Sequence, residues 1–548
     1  MAILFEQAAI DTGGNAVVRR FGGTAFMTAP TDNPANTPYM PLIRSAGSFE
    51  RHCWGHGSTT GRSSAGFGVM KIANDKTSGT WALDSYVKDA VDGQPFVIRS
   101  GDGNTLSGFS VLATGITKQV LPGWDYLDYV LNDQASFLWD LPLQQTKYLG
   151  TNVGGTGLEG LATDIIGAPK PILAGYVQNI SPPLANAVGL IYQVDDGGAK
   201  LPMTITVYSS RNVVIAGTQR ATLALLISNT PTASTYDWYA GPEGWYFKLS
   251  GAIVGRITCD VSEGAAADRT IAQVTSRLIT RVSANYPGYS VPFIDGISAM
   301  DGKFSAEVGN WCFSETTLGA FLDPILASGG CYLADRRVKG LLIGRLEDPD
   351  TLPSVATFAE WQLWNMAVAP PNDSGIGLRV GSTGSGVFAS NAIYSSQGTI
   401  AGLPPWRVRL DYSHNFTIMT KTDLPADTDA DIAFCKDQFR TITVQDSTVL
   451  ATHLKAPEFD LTTLLRYQTD ATTEATRQLN LRKAQRIVVT IQVESGMATG
   501  IELGSIFTLQ IARFGWDNGR NFFCLGIIEN YGDATTAAST TLIGWGLL

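Results

Sequence analysis

Residues 155–160 read GTGLEG, which sets Gly155, Gly157 and Gly160 at the G-x-G-x-x-G spacing that cradles dinucleotide phosphates. That chemistry needs a strand running in and a helix starting at the last glycine, so that its free amides meet the pyrophosphate. Upstream, LPLQQTKYLGTNV is broken by Pro142 and Gly150, and downstream LATDII runs only six residues before Gly167 and Pro169-Lys170-Pro171. No βαβ unit fits, so the expectation is a glycine-rich structural loop. HCWGH at 52–56 offers His52, Cys53 and His56 as metal ligands, but Gly55 argues against the helix that would align the two imidazoles. The remaining histidines, His414 and His453, bring no cysteine or acidic cluster, so packing is the expected role and no cofactor or metal is assigned.

Acidic residues are densest in ADRRVKGLLIGRLEDPDT, with Asp335, Glu347, Asp348 and Asp350. Arg336, Arg337, Lys339 and Arg345 are interleaved with them, the pattern of a charge mosaic rather than of a general acid and base. There is no G-x-S-x-G elbow and no H-E-x-x-H. The expectation is a protein that is not an enzyme. TYDWYAGPEGWYF at 235–247 carries Trp238, Tyr239 and Trp245, which suit a sugar platform and, better, a protein interface.

The elements that must position these residues are mostly strands. QPFVIRSG, MTITVYSS, VVIAG, RIVVTIQVE, IFTLQIARFG and FFCLGIIENY are short, rich in β-branched and aromatic residues, and bounded by Gly, Asn or Asp. Asn518-Gly519 between the last two of these predicts a tight hairpin. Three helices are expected. One follows Asp268 as cap, with Ile271, Val274, Leu278 and Val282 on one face. A second runs from Ser314 to Gly329-Gly330, bent or split at Pro324. A third spans 470–483, with Leu479 four residues after Ala475 and Arg477, Arg482 and Lys483 near its end.

At 548 residues the chain has room for several domains of ~100–200 residues. Charged residues are only 16%, against ~25% in an average soluble protein, and net charge is −10. An acidic chain without basic runs is a poor partner for phosphate backbones, so no sequence-specific nucleic-acid binding is expected. Six scattered cysteines form no C-x-x-C pair and read as buried thiols of a reducing cytosol. MAILFEQAAIDTGG lacks a basic start and a long apolar run, and no run of ~18 apolar residues occurs, so neither export by signal peptide nor stable membrane insertion is expected.

Taken in order, several segments resemble the baseplate hub proteins of long-tailed bacteriophages and gene transfer agents. Tyr148, Gly150, Glu159-Gly160, Lys170-Pro171, Gly175, Val177, Asn179 and Tyr192-Gln193-Val194 match that family's tyrosine-glycine start, "EG" loop, Lys-Pro turn, Gly-x-Val-x-Asn strand and Tyr-Gln-Val strand. Residues 62–102 are similar to its N-terminal barrel, 311–349 to its helix-plus-hairpin middle domain, and the C-terminal strands with TTLIGWG to its closing β-domain.

The resemblance implies a mainly β, multidomain fold with a few short helices and two β-barrel-type domains. The expected boundaries are 1–200 (N-terminal barrel-type domain with the glycine loop), 201–255 (β insertion), 256–350 (middle domain), 351–455 (mixed domain with a Gly/Ser-rich arm at 381–405) and 456–548 (C-terminal helix and barrel-type domain). It also implies a homotrimeric hub in the virion, at the tip of a tail assembled in the bacterial cytoplasm. The ring would join distal tail and tail tube proteins and the tape-measure protein to a central spike or fibre. Interface residues are then expected at Gly155, Gly157, Gly160, Lys170, Pro171, Trp238, Tyr239 and Trp245, and in the 381–405 arm. The other readings are a receptor- or glycan-binding tail fibre module, motivated by 235–247, and a tail-associated cell-wall hydrolase.

Overall fold

The computed structural model describes residues 2–54, 61–63, 66–77, 80–132, 138–144, 146–153, 156–211, 213–252, 255–285, 293–336, 340–369, 404–420, 424, 433–530 and 538–547. Its backbone is mainly β, as the strand-rich texture predicts, with short helices between sheets.

One fourteen-stranded sheet runs through both ends of the chain. Its N-terminal part orders Ala16–Gly22, Ala2–Ile10, Pro95–Gly101, Phe109–Pro122, Tyr126–Asn132, Gly66–Ala73 and Ser48–His52. The C-terminal part continues through Arg520–Asn530, Ser539–Leu547, Arg486–Glu494 and Asn365–Ala369, with Ile506–Gln510 and Ser354–Ala359 branching from Arg520–Asn530. The two parts meet where Ser48–His52 pairs antiparallel with Gly526–Asn530, His52 opposite Gly526 and Ser48 opposite Asn530.

Each part curls around its own apolar core. In the first, Phe5 packs against Phe21, Phe96 and Tyr129 with ring centroids 5.6–6.2 Å apart. In the second, Trp516 and Trp545 are fully buried with Phe507 and Phe522. Each such aromatic contributes about 2–3 kcal/mol through the apolar area it removes from water.

Between them lies a nine-stranded sheet in which Met203–Ser209, Val213–Gln219, Thr235–Gly241 and Gly244–Leu249 join Ile172–Ile180, Ile191–Asp195 and Ile257–Glu263. The helix Ile271–Ser283 buries Ile271, Val274, Leu278 and Val282, the face its periodicity predicts. Its cap differs: Thr270 supplies the oxygen, accepting from the Gln273 amide, while Asp268 closes the preceding turn by accepting from the Ala265 amide. Threonine one residue before the first helical position has the reach that Asp268 lacks.

The helix Leu318–Ala327 starts later than expected, capped by Thr317, and runs through Pro324 as a single element. Only one intrahelical amide is forfeited there, and the Ser328 hydroxyl donates back to the Pro324 carbonyl at 2.8 Å. The helix Gln468–Arg482 matches its expected span and covers the strands Arg407–Tyr412 and Arg440–Gln445. Arg482, at the C-terminal end as expected, is buried beside Phe459, with its guanidinium 4.5 Å from the ring centroid.

The Asn518-Gly519 hairpin exists but is not tight: Leu509 pairs with Arg520 across a loop closed by Ile511 N–H donating to the Trp516 carbonyl. Gly519 takes the positive φ, 91°, and Asn518 does not.

A glycine hairpin pinned to a sheet crossing

GTGLEG does not start a helix; most of it is the strand Thr156–Leu161, paired antiparallel with Thr151–Val153. With a strand where the fingerprint demands a helix N-terminus, the phosphate cradle is absent. Asn152 fixes the hairpin by accepting from the Glu159 amide at 2.8 Å and donating to the Ala185 carbonyl at 2.7 Å. Asn186 donates to the Gly157 carbonyl at 2.7 Å, so Gly157 is tied to the nine-stranded sheet. Gly160 has φ 66°, and a Cβ there would lie 2.2 Å from Ile165, which is why the loop folds back only with glycine. Gly155 lies outside the described residues.

Lys170 closes the base. Its ammonium sits 2.7 Å from a Glu159 oxygen and 5.6 Å from the Tyr148 ring centroid. Tyr148 is buried, donates to Gln193 at 2.6 Å, and has its phenol pushed far up by burial. Pro171 ends the turn, and Ile172–Ile180 begins beside it. The hairpin leaves Leu149, Ile166 and, on the adjacent turn, Val188 exposed to solvent. No periodicity marks these three.

Strand Ile172–Ile180 changes partner midway. Its first half pairs with Gly309–Cys312 and its second with Ile257–Glu263. At the switch Gly175 stands opposite Gly309. A Cβ on Gly175 would lie 1.9 Å from the Val308 carbonyl oxygen, and one on Gly309 1.7 Å from that of Tyr176. Gly175 also has φ 78°.

Glu263, almost wholly buried, accepts from the amides of Gly175 and Lys200 at 2.7 Å each and pairs with Arg277 of the helix Ile271–Ser283. One turn later, Arg281 pairs with Asp196. Asp195 accepts from the amides of Leu173, Gly197 and Ala199. Asn179, at φ 53°, donates to Asn415 at 2.8 Å and to the Thr417 carbonyl at 2.7 Å. Glu263, Arg277 and Asp195 went unassigned in the sequence; an acidic residue ending a β-run just before a helix bearing Arg at i and i+4 was the available signal.

The structure separates the remaining expectations. Trp245 is fully buried and Tyr239 nearly so, while Trp238 is half-buried. Trp245 and Tyr239 pack into the apolar clusters of their own sheet. His52 Nε2 lies 2.5 Å from a Glu50 oxygen on the strand that joins the two curls. Cys53 is buried, which pushes its thiol well up, and His56 lies outside the described residues. Among the described residues, no group of three His, Cys, Asp or Glu side chains converges on an ion.

Two of the four acidic residues are held by cations: Glu347 by Arg345 at 2.7 Å and Asp348 by Arg486 at 3.2 Å. Arg336 reaches Asp295 at 2.6 Å, whereas Arg337 and Lys339 are outside the described residues. The 381–405 arm lies outside them too, except for Pro404 and Pro405.

No family model matches the chain, and neither does any curated protein. Among solved structures, it is similar to the tail protein from Neisseria meningitidis MC58, at 10% identity and TM-score 0.39, covering 99% of this chain and 96% of that one. The 43 kDa tail protein of prophage MuSo2 from Shewanella oneidensis aligns at 7% identity and TM-score 0.41, covering 99% and 98%. The prophage tail protein gp18 from Listeria monocytogenes EGD-e aligns at 8% identity and TM-score 0.37, covering 99% and 94%.

Proposed function

We propose that this chain is a structural subunit of a bacteriophage tail, a baseplate hub that closes a ring of three copies at the tail tip. The observation that carries the reading is the continuous sheet made of two curled halves, fused edge to edge through Ser48–His52 and Gly526–Asn530. A subunit with two barrel-like halves presents six such units from three copies, which suits a threefold ring seated on a sixfold tube. The collinear hub-like motifs support it independently, because Gly175, Asn179, Glu159 and Lys170 hold the crossing to which the glycine hairpin is pinned.

Ring closure has a chemical reason. Ala16–Gly22 and Asn365–Ala369 end the main strand path, and each pairs in register with a single neighbour among the described residues. The outer side of Ala16–Gly22 bridges to Met40 near Phe21. Two open edges at opposite ends of one sheet are donors and acceptors for a head-to-tail contact, which forms a ring if the rotation closes. Trp361 and Trp364, both exposed, flank the second edge as anchors. In this reading the work is mechanical and cofactor-free, and the partners are tail tube and distal tail proteins, the tape measure, and a central spike or fibre.

The test is the copy number and place of the chain. Native mass spectrometry of the purified protein, together with imaging of tails, should give three copies at the tip. Cysteines placed at Val17 and Ala367 should cross-link between copies. A monomer at high concentration, together with absence from tails, overturns the proposal.

A further inference from the structure

The turn between Phe109–Pro122 and Tyr126–Asn132 holds Trp124 out from the N-terminal curl with 85% of its surface in water. The exposure is built in. Gly123 donates to the Tyr126 carbonyl at 2.8 Å and lies so close to the Tyr126 ring that a Cβ would come within 2.3 Å of it. Lys71 sits 3.9 Å from the same ring centroid, so Tyr126 is occupied and Trp124 cannot fold onto it.

Trp81 meets Trp124 edge-on, with centroids 6.1 Å apart and planes at 72°. Beside the two indoles, Arg44 donates to Asp125 at 2.6 Å and reaches Asp75 at 3.4 Å. Arg44 draws the Asp125 carboxyl below its ordinary range.

We propose that this corner is a saccharide-binding site, with Trp124 as the stacking platform and Asp125, Arg44 and Asp75 as the hydroxyl-binding rim. The negative face of an indole attracts the partly positive C–H groups on one face of a pyranose ring. Its bracing by Trp81 means little side-chain freedom is lost on binding. Carboxylates and a guanidinium in fixed relation beside the platform accept from and donate to ring hydroxyls.

A protein partner would want a wider apolar centre. Specific protein interfaces bury about 1,200–2,000 Å² with charge depleted at the core, whereas here the indoles and the exposed Leu121 stand among ion pairs. The ligand class is therefore a neutral or weakly charged glycan chain. This also moves the sugar-platform expectation from 235–247, whose Trp245 and Tyr239 are buried, to a different aromatic pair. The inference does not depend on ring assembly.

The test uses the full chain on a printed array of bacterial surface polysaccharides, followed by calorimetric titration with a soluble oligosaccharide from the strongest spot. Wild type is expected to bind in the micromolar to millimolar range. Trp124→Ala should weaken binding at least tenfold, and Asp125→Asn severalfold, while Phe293→Ala, at an exposed aromatic elsewhere on the surface, should leave it unchanged. Native mass spectra should show the same assembly state for all four proteins. Wild type that captures no glycan, Trp124→Ala that binds as wild type, or a change of assembly state with Trp124→Ala each overturns the assignment.

Discussion

Replacing Glu263 by leucine tests how the helix Ile271–Ser283 is fastened to the nine-stranded sheet. The carboxylate is nearly inaccessible and satisfies three donors: the Gly175 amide, the Lys200 amide and the Arg277 guanidinium. Leucine fills a similar volume but leaves two amides without an acceptor, at about 1–3 kcal/mol each. It also strands a partly buried guanidinium, and breaking a buried pair from one side costs about 3–5 kcal/mol. Arg277 is about a quarter exposed and retains its bond to the Asp268 carbonyl, so the charge term sits at the low end. The expected total is about 5–9 kcal/mol, a large share of the ~5–15 kcal/mol that holds a domain together.

Arg277→Met alone leaves Glu263 with both amides but buried without its cation, and should cost about 3 kcal/mol. In the double variant no charge is orphaned, so it should be at least about 2 kcal/mol less destabilised than the sum of the singles. Urea unfolding gives the cycle, and hydrogen exchange read on peptides covering Gly175 and Lys200 localises it. A Glu263→Leu protein within 1 kcal/mol of wild type, or strictly additive singles, would refute the argument that one carboxylate clamps strand, loop and helix together.

Three further outcomes follow from single contacts. Burial lowers the His414 imidazole from 6.5 to about 4, with its ring stacked 4.6 Å from that of Phe439. The unfolded chain therefore binds the proton first: the contribution is intact above pH 6.5 and is lost as pH falls toward 4, by about 2–3 kcal/mol. His414→Phe should flatten that part of the stability profile, and an unchanged slope in the variant would remove His414 as the cause. Gly175→Ala and Gly309→Ala each drive a methyl into a carbonyl oxygen at the strand crossing and should each cost more than about 3 kcal/mol in chemical unfolding. Lys170→Met breaks a mostly buried pair with Glu159, so stability should fall by about 1–3 kcal/mol, and amide exchange across 151–161 should rise at least severalfold.

The periodic signals were legible and the tertiary ones were not. Four apolar residues at helical spacing placed the buried face of Ile271–Ser283, but the cap moved from Asp268 to Thr270, because Asp268 found a nearer amide at Ala265. Asn518-Gly519 identified a chain reversal, yet the loop widened once Trp516 was drawn into the core, pulling the turn away from two residues. An aromatic run reads alike for interface and core, and alternation along Gly244–Leu249 did not say that both faces are covered; the burial of Trp245, Tyr246 and Phe247 in succession did. The pairing of Ser48–His52 with Gly526–Asn530 joins opposite ends of the chain, and nothing in a strand's own composition names a partner that remote.

The residues that carry the resemblance to hub proteins sit where backbone necessity is greatest. Gly175 and Gly309 are the two positions where one strand passes from one partner to another with no room for a Cβ. Asn179 holds a left-handed conformation while its side chain reaches Asn415 and Thr417 in a distant segment. Gln193 takes the Tyr148 hydroxyl, and the Val194 carbonyl takes the Trp311 indole N–H. Each motif residue answers a local geometric demand that few residue types meet. Faces that meet partners obey no such demand. Leu149, Ile166, Val188, Trp124 and Trp361 are exposed side chains that the packing of one chain does not require.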